Sequence, residues 1–84
     1  MNARQICERL NVELATPADF AERYGLELDC DGMTCDNTIT VRDTDNLAIV
    51  CHEIARVLYP AIDNHNVVIW LGILIQMNLR KDLQ

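Results

Sequence analysis

The stretch Val67–Ile75 (VVIWLGILI) constrains this chain more than any other, because nine consecutive residues are apolar or glycine. With about 3.6 residues per helical turn, Val67, Val68, Leu71, Leu74 and Ile75 share one side. Ile69, Trp70, Ile73 and Met77 cover much of the rest, and only Gly72, Gln76 and Arg80 leave a polar strip. A helix that is apolar nearly all round must be covered on most sides. The cover comes from its own domain or from a second copy of the chain, and for the second case Ile69, Trp70, Ile73 and Met77 are the candidate dimer interface. The β-branched start, Val67–Ile69, also fits a buried strand, but the continuation into MNLRKDL favours a helix. The run is too short for a bilayer span, which takes about 20 apolar residues.

The remaining elements are placed around that segment. Ala3, Ile6, Cys7, Leu10 and Leu14 recur at three- and four-residue spacing, which predicts a first helix over 3–14 with Cys7 as core. Thr16-Pro17-Ala18-Asp19 then supplies an N-cap, proline at the first helical position and a carboxylate at the third. Gly25 suits the left-handed position after the helix end, so 17–24 is a second helix with Phe20, Ala21 and Tyr24 inward.

Over about a dozen residues, ATPADFAERYGLE resembles the first helix of helix-turn-helix regulators. That resemblance implies a following polar, basic helix for the major groove, with dimerisation through the last helix. The chain continues instead with LELDCDGMTCDNTITV, where carboxylates stand at the places phosphate contacts would occupy.

Residues 26–42 read as a β-hairpin. Leu26, Leu28 and Cys30 alternate with polar residues, Asp31-Gly32 is a turn signal, and Ile39 and Val41 mark the return strand. Glu27, Asp29, Asp31 and Asp36 make this region acidic; it is either a solvated face or a docking surface for a basic partner. A third helix runs from an Asp43–Asp45 capping region to Tyr59 and stops at Pro60. Its inner half holds Leu47, Val50, Cys51, Ile54, Ala55, Val57 and Leu58. Ile49, His52, Glu53, Arg56 and Tyr59 form a mixed outer patch, covered by the last helix or by a partner.

Chemical motifs are incomplete. His52-Glu53-Ile54-Ala55-Arg56 starts like a zinc-protease helix, but the second histidine is Arg56. The calcium-loop pattern begun at Asp29 has its glycine too early and Thr40 where a bidentate glutamate belongs. Cys30 and Cys35 leave three states open: a zinc knuckle completed by Cys51, His52 or His65, a disulfide, or reduced thiols. Cys51 and His52 point about 100° apart on a helix, which weighs against a shared ion. No serine is present, and three scattered glycines make no phosphate loop. A domain of this length also leaves limited room for a cleft of several hundred Å3.

Composition then bounds the function. Eighty-four residues, 50% hydrophobic, predict one domain over 1–84, burying roughly 60–65% of its unfolded surface. No charged leader precedes an apolar segment, and the expected setting is a reducing cytoplasm with unpaired cysteines. The net charge of −6 and seven scattered basic residues disfavour a phosphate-backbone binder. The fold expected is α+β, ordered α-α-β-β-α-α, with a β-hairpin and a buried C-terminal helix. The function expected is a non-catalytic protein–protein interaction module without cofactor or metal. It would be a small acidic regulator or inhibitor, of the kind phages and mobile elements encode, that blocks a basic or nucleic-acid-binding partner. The alternatives are a helix-turn-helix DNA-binding regulator and a structural dimer subunit.

Overall fold

The computed structural model describes residues 1–82, with side chains described through Arg80. The order is α1 (Ala3–Arg9), β1 (Glu13–Ala15), α2 (Pro17–Tyr24), β2 (Gly32–Cys35), β3 (Thr38–Val41), α3 (Leu47–Leu58) and α4 (His65–Asp82). It is an α+β fold of four helices and a three-stranded sheet. The expected helical continuation to Leu83, and the side chain of Lys81 among the scattered basic residues, lie outside the described residues.

The first correction concerns residues 10–15. The apolar spacing predicts helix to residue 14, yet α1 stops at Arg9. Asn11 takes a left-handed conformation (φ 57°), its N–H donates to the Glu8 carbonyl, and the Val12 N–H donates to that of Cys7. This is the helix-ending arrangement in which residues past the cap satisfy orphan carbonyls. Leu14 then belongs to β1, which pairs parallel with β3 through Glu13–Thr38, Leu14–Ile39 and Ala15–Thr40.

The second correction concerns the hairpin. Residues 26–30 are not a strand, and Leu26 is exposed. The turn falls at Asp36-Asn37, with Asp36 at φ 52°, and β2 pairs antiparallel with β3 from Gly32–Val41 to Cys35–Thr38. β3 is therefore the central strand, in the order β1-β3-β2. The loop before β2 is held by the Arg42 guanidinium donating to the Leu28 carbonyl (3.0 Å) and the Arg42 N–H donating to that of Asp31 (2.9 Å).

Local chemistry places α2 and α3 where the sequence indicates. Thr16 and Asp19 cap α2 reciprocally, and Gly25 ends it at φ 70°. Asn46, rather than the expected Asp43–Asp45 region, caps α3, and the helix ends at Leu58 with Tyr59 as its C-cap just before Pro60. The core lies between the sheet and α3, where Ile6, Cys7, Ile39, Val41, Val50, Cys51 and Ile54 are fully buried.

The last helix is covered on one side only. Val68, Gly72 and Leu79 are buried and Ile75 half-buried, forming the strip that faces α3. Gly72 thus sits in the contact rather than on a polar strip. A Cβ there would stand 3.0 Å from the His52 Cα and N, so the missing side chain is what lets α4 lie against the α3 backbone. The expectation of a buried C-terminal helix holds for that strip alone, since Val67, Ile69, Trp70, Ile73, Leu74 and Met77 are exposed. No helix among the described residues is long and apolar enough to cross a membrane.

Candidate functional site

An open groove of about 520 Å3 runs between α3 and α4. From α3 it takes Ala48, Ile49, His52, Glu53 and Arg56; from α4 it takes His65, Ile69, Ile73 and Gln76. Asp31 and Gly32 close one end at the start of β2. The groove lies within the range of roughly 300–1,000 Å3 usual for ligand sites, against the expectation of limited room.

Glu53 is the unexpected member. The sequence pattern places it on the outer half of α3, but it is 3% exposed; three residues after the buried Val50, it shares that residue's face. Gly32 explains why: a Cβ there would meet the Glu53 Cγ at 3.0 Å and the Ile49 Cγ2 at 3.1 Å, so β2 passes directly over both side chains. The Thr34 hydroxyl fixes the same crossing by donating to the Glu53 backbone carbonyl (3.1 Å). Glu53 Oε2 is sealed from solvent without a hydrogen-bond partner. Burial raises the Glu53 pKa above its ordinary value, and the Arg56 charge and the Thr34 hydroxyl partly offset the rise.

At the other end, the His52 and His65 rings meet edge to face with centroids 5.3 Å apart. Burial lowers the His52 pKa, and the neighbouring His65 and Arg56 charges lower it further. His52, Arg56 and His65 also border a second cavity of about 380 Å3, shared with Thr34, Asp36 and Asp63. His52, Arg56 and His65 therefore line both cavities, and the Arg56 charge reaches Glu53.

The structure sorts the sequence candidates into three places. Asp31, Ile49, His52, Glu53 and Arg56 come together in the groove with Ile69 and Ile73 of the candidate dimer set. Trp70 and Met77 face solvent outside it, and Tyr59 stands exposed at the end of α3. Glu27 and Asp29 are exposed in the loop before β2, while Asp36 lies in the turn at the far end of that strand. At about 3.3 Å per residue, Asp31 and Asp36 are roughly 16 Å apart, so the acidic residues do not form one patch.

Cys7 and Cys51 are buried in the core, Cys30 and Cys35 are half-buried, and all four are unpaired. Among the described residues no three His, Cys, Asp or Glu side chains gather as a metal site. α2 is followed by a loop and β2, so no second helix occupies the position that the helix-turn-helix resemblance implies. His65, Gly32 and Gln76 were not legible as groove residues, because each reaches the groove only through the packing of α4 and β2 on α3. No family model, curated protein or solved structure matches the chain.

Proposed function

We propose that this protein is a non-catalytic protein–protein interaction module that works as a homodimer built on the outer face of α4. One observation carries the reading: Val67, Trp70, Leu74 and Met77 follow one another at three- and four-residue spacing, and all are exposed, Trp70 by 65%. That spacing is the seam of a two-helix contact.

The seam is also self-complementary. In an antiparallel pair centred on Gly72, Val67 stands opposite Met77 and Trp70 opposite Leu74, as a two-fold interface requires. With the flanking Ile69 and Ile73, the exposed fractions of side chains of roughly 150–250 Å2 amount to on the order of 600 Å2 of apolar surface per chain. Two such faces clear the roughly 1,000 Å2 that separates specific interfaces from casual contacts. A single exposed patch of this size already stands at the upper end of what monomers carry.

The dimer presents the acidic loop, with Glu27, Asp29 and Asp31, to a basic partner, in keeping with the net charge of −6. Its role is that of a small cytoplasmic regulator or inhibitor that occupies the partner's surface. Four unpaired cysteines suit that reducing setting.

Sedimentation velocity and native mass spectrometry test the reading, with Trp70 as an internal reporter since it is the only tryptophan. The expected result is a dimer whose Trp70 emission shifts to shorter wavelength as concentration rises. Trp70→Glu should give a folded monomer. A wild-type chain that stays monomeric at about 100 µM, where interfaces of this size are normally occupied, refutes it.

A further inference from the structure

β1 and β3 lie side by side and parallel, yet the chain leaves their carboxyl ends toward opposite faces of the sheet. After β1 it enters α2, whose Arg23 pairs with Glu13, so α2 covers the face that Glu13, Ala15 and Thr40 share. After β3 it enters α3, whose Val50 and Ile54 pack with Ile39 and Val41 on the other face. Where neighbouring parallel strands part in this way, no backbone fills the gap beyond their ends, and that crevice is where open sheets bind ligands.

Here the crevice is an open cleft of about 830 Å3. Thr16 and Pro17 line it after β1, Arg42 and Asp45 after β3, and Arg4 and Glu8 from α1. The half-buried Leu14 lies in it above the buried Cys7, Val12 and Val41. None of Arg4, Glu8, Arg42 and Asp45 is in an ion pair among the described residues. Two cations and two carboxylates therefore border one cleft with an apolar floor.

We infer that this cleft binds a free α-amino acid with an apolar side chain, its carboxylate at Arg42, its ammonium at Asp45 and its side chain over Leu14. A lining whose charges cancel favours a ligand whose charges cancel. A simple anion would leave Glu8 and Asp45 opposed to it, and a simple cation would leave Arg4 and Arg42 so. Arg42 and Asp45 lie three residues apart in one loop, which suits the adjacent charges of an α-amino acid. Arg42 is anchored by donating to the Leu28 carbonyl (3.0 Å), beside Pro17 and Ala18 at the start of α2. The positive end of that helix adds to its attraction for a carboxylate. The Asp45 side chain has no hydrogen-bond partner among the described residues, which leaves it open to an ammonium.

The test is a titration of isotope-labelled full-length protein with leucine, followed by amide chemical shifts. 4-Methylpentanoate, which lacks the amine, 3-methylbutylamine, which lacks the carboxylate, and inorganic phosphate are run alongside. Saturable shifts are expected at Leu14, Thr16, Arg42, Thr44 and Asp45, with a dissociation constant on the order of millimolar or tighter for so small a ligand. Each truncated analogue should bind at least about tenfold more weakly, for loss of one charged hydrogen bond. Asp45→Asn should weaken leucine by a similar factor while leaving 4-methylpentanoate unchanged, a contrast that a merely misfolded variant would not give.

No saturable shift at the cleft, equal binding of leucine and either analogue, tighter binding of phosphate than of leucine, or unchanged leucine binding by Asp45→Asn would each overturn the assignment. The cleft does not involve the α4 seam, so Trp70→Glu should give the same shifts. A monomeric wild type would end the dimer reading while leaving this one standing, and absent cleft shifts would end this one alone.

Discussion

Replacing Gly72 with alanine sets two known effects against each other, and the structure decides which wins. Alanine in a helix interior is worth about 1 kcal/mol over glycine, so an exposed Gly72 would make the variant more stable. In the fold, however, the new Cβ would lie 3.0 Å from the His52 Cα and N and 3.3 Å from the Cys51 carbonyl carbon. Carbon atoms pack best at about 3.5–4.0 Å, so the helices must part by roughly half an ångström. The obstructing atoms are helix backbone, and Val50, Cys51 and Ile54 behind them are fully buried, so α3 cannot recede. Parting the helices instead loosens Val68 and Leu79 along the whole strip. Such overpacking costs about 1–3 kcal/mol. Because the clash is with backbone, the upper part of that range applies, and the net loss is about 1–2 kcal/mol. For a domain of this size each kcal/mol moves Tm by roughly 4–8 °C. Urea denaturation followed by circular dichroism measures it, at one fixed protein concentration because self-association would add to apparent stability. A Gly72→Ala variant more stable than wild type would refute the close α3–α4 contact, and with it the groove that contact shapes.

Two further predictions follow from buried groups. Glu53 has its folded pKa raised by burial above the ordinary 4.5, so the native state holds a proton that the unfolded chain has released. Its contribution to stability is present below that unfolded value and is lost as pH rises through the folded one. Glu53→Gln should therefore be more stable than wild type at neutral pH, with a smaller fall in stability on going from about pH 4.5 to 7; an identical pH profile by urea denaturation would refute the burial. The Cys7 thiol is pushed up to about 11 by burial and by the neighbouring Cys51, and burial raises Cys51 as well. A thiol-disulfide reagent at neutral pH should accordingly label two thiols per folded chain, Cys30 and Cys35, and all four after denaturation. Labelling of Cys7 or Cys51 at the rate of the other two would show that the core is not closed.

What the sequence determined by itself are the features settled within a few residues of chain. Thr16-Pro17 with Asp19 and Gly25 bound α2 at both ends, Pro60 stops α3, and the length of the apolar run after Asn66 makes α4 a helix. In each case a side chain or ring within a turn satisfies or blocks a backbone group, so no distant partner is consulted. The apolar excess of α4 was legible too, but not which of its faces is covered.

Tertiary structure alone decided the rest. Leu10 and Leu14 have helical spacing, and only pairing with Thr38–Thr40, more than twenty residues away, turns Glu13–Ala15 into a strand. Asp31-Gly32 and Asp36-Asn37 both carry turn chemistry, and the register against β3 chose the second. Gly32 and Gly72 read as a turn residue and part of a polar strip, yet each is the point where another side chain or backbone comes within 3.0–3.3 Å of where a Cβ would stand. Those two approaches bury Glu53 and shape the groove. The physical reason is the absence of a side chain: a glycine states that something is allowed to come close, and only the packed fold supplies what comes.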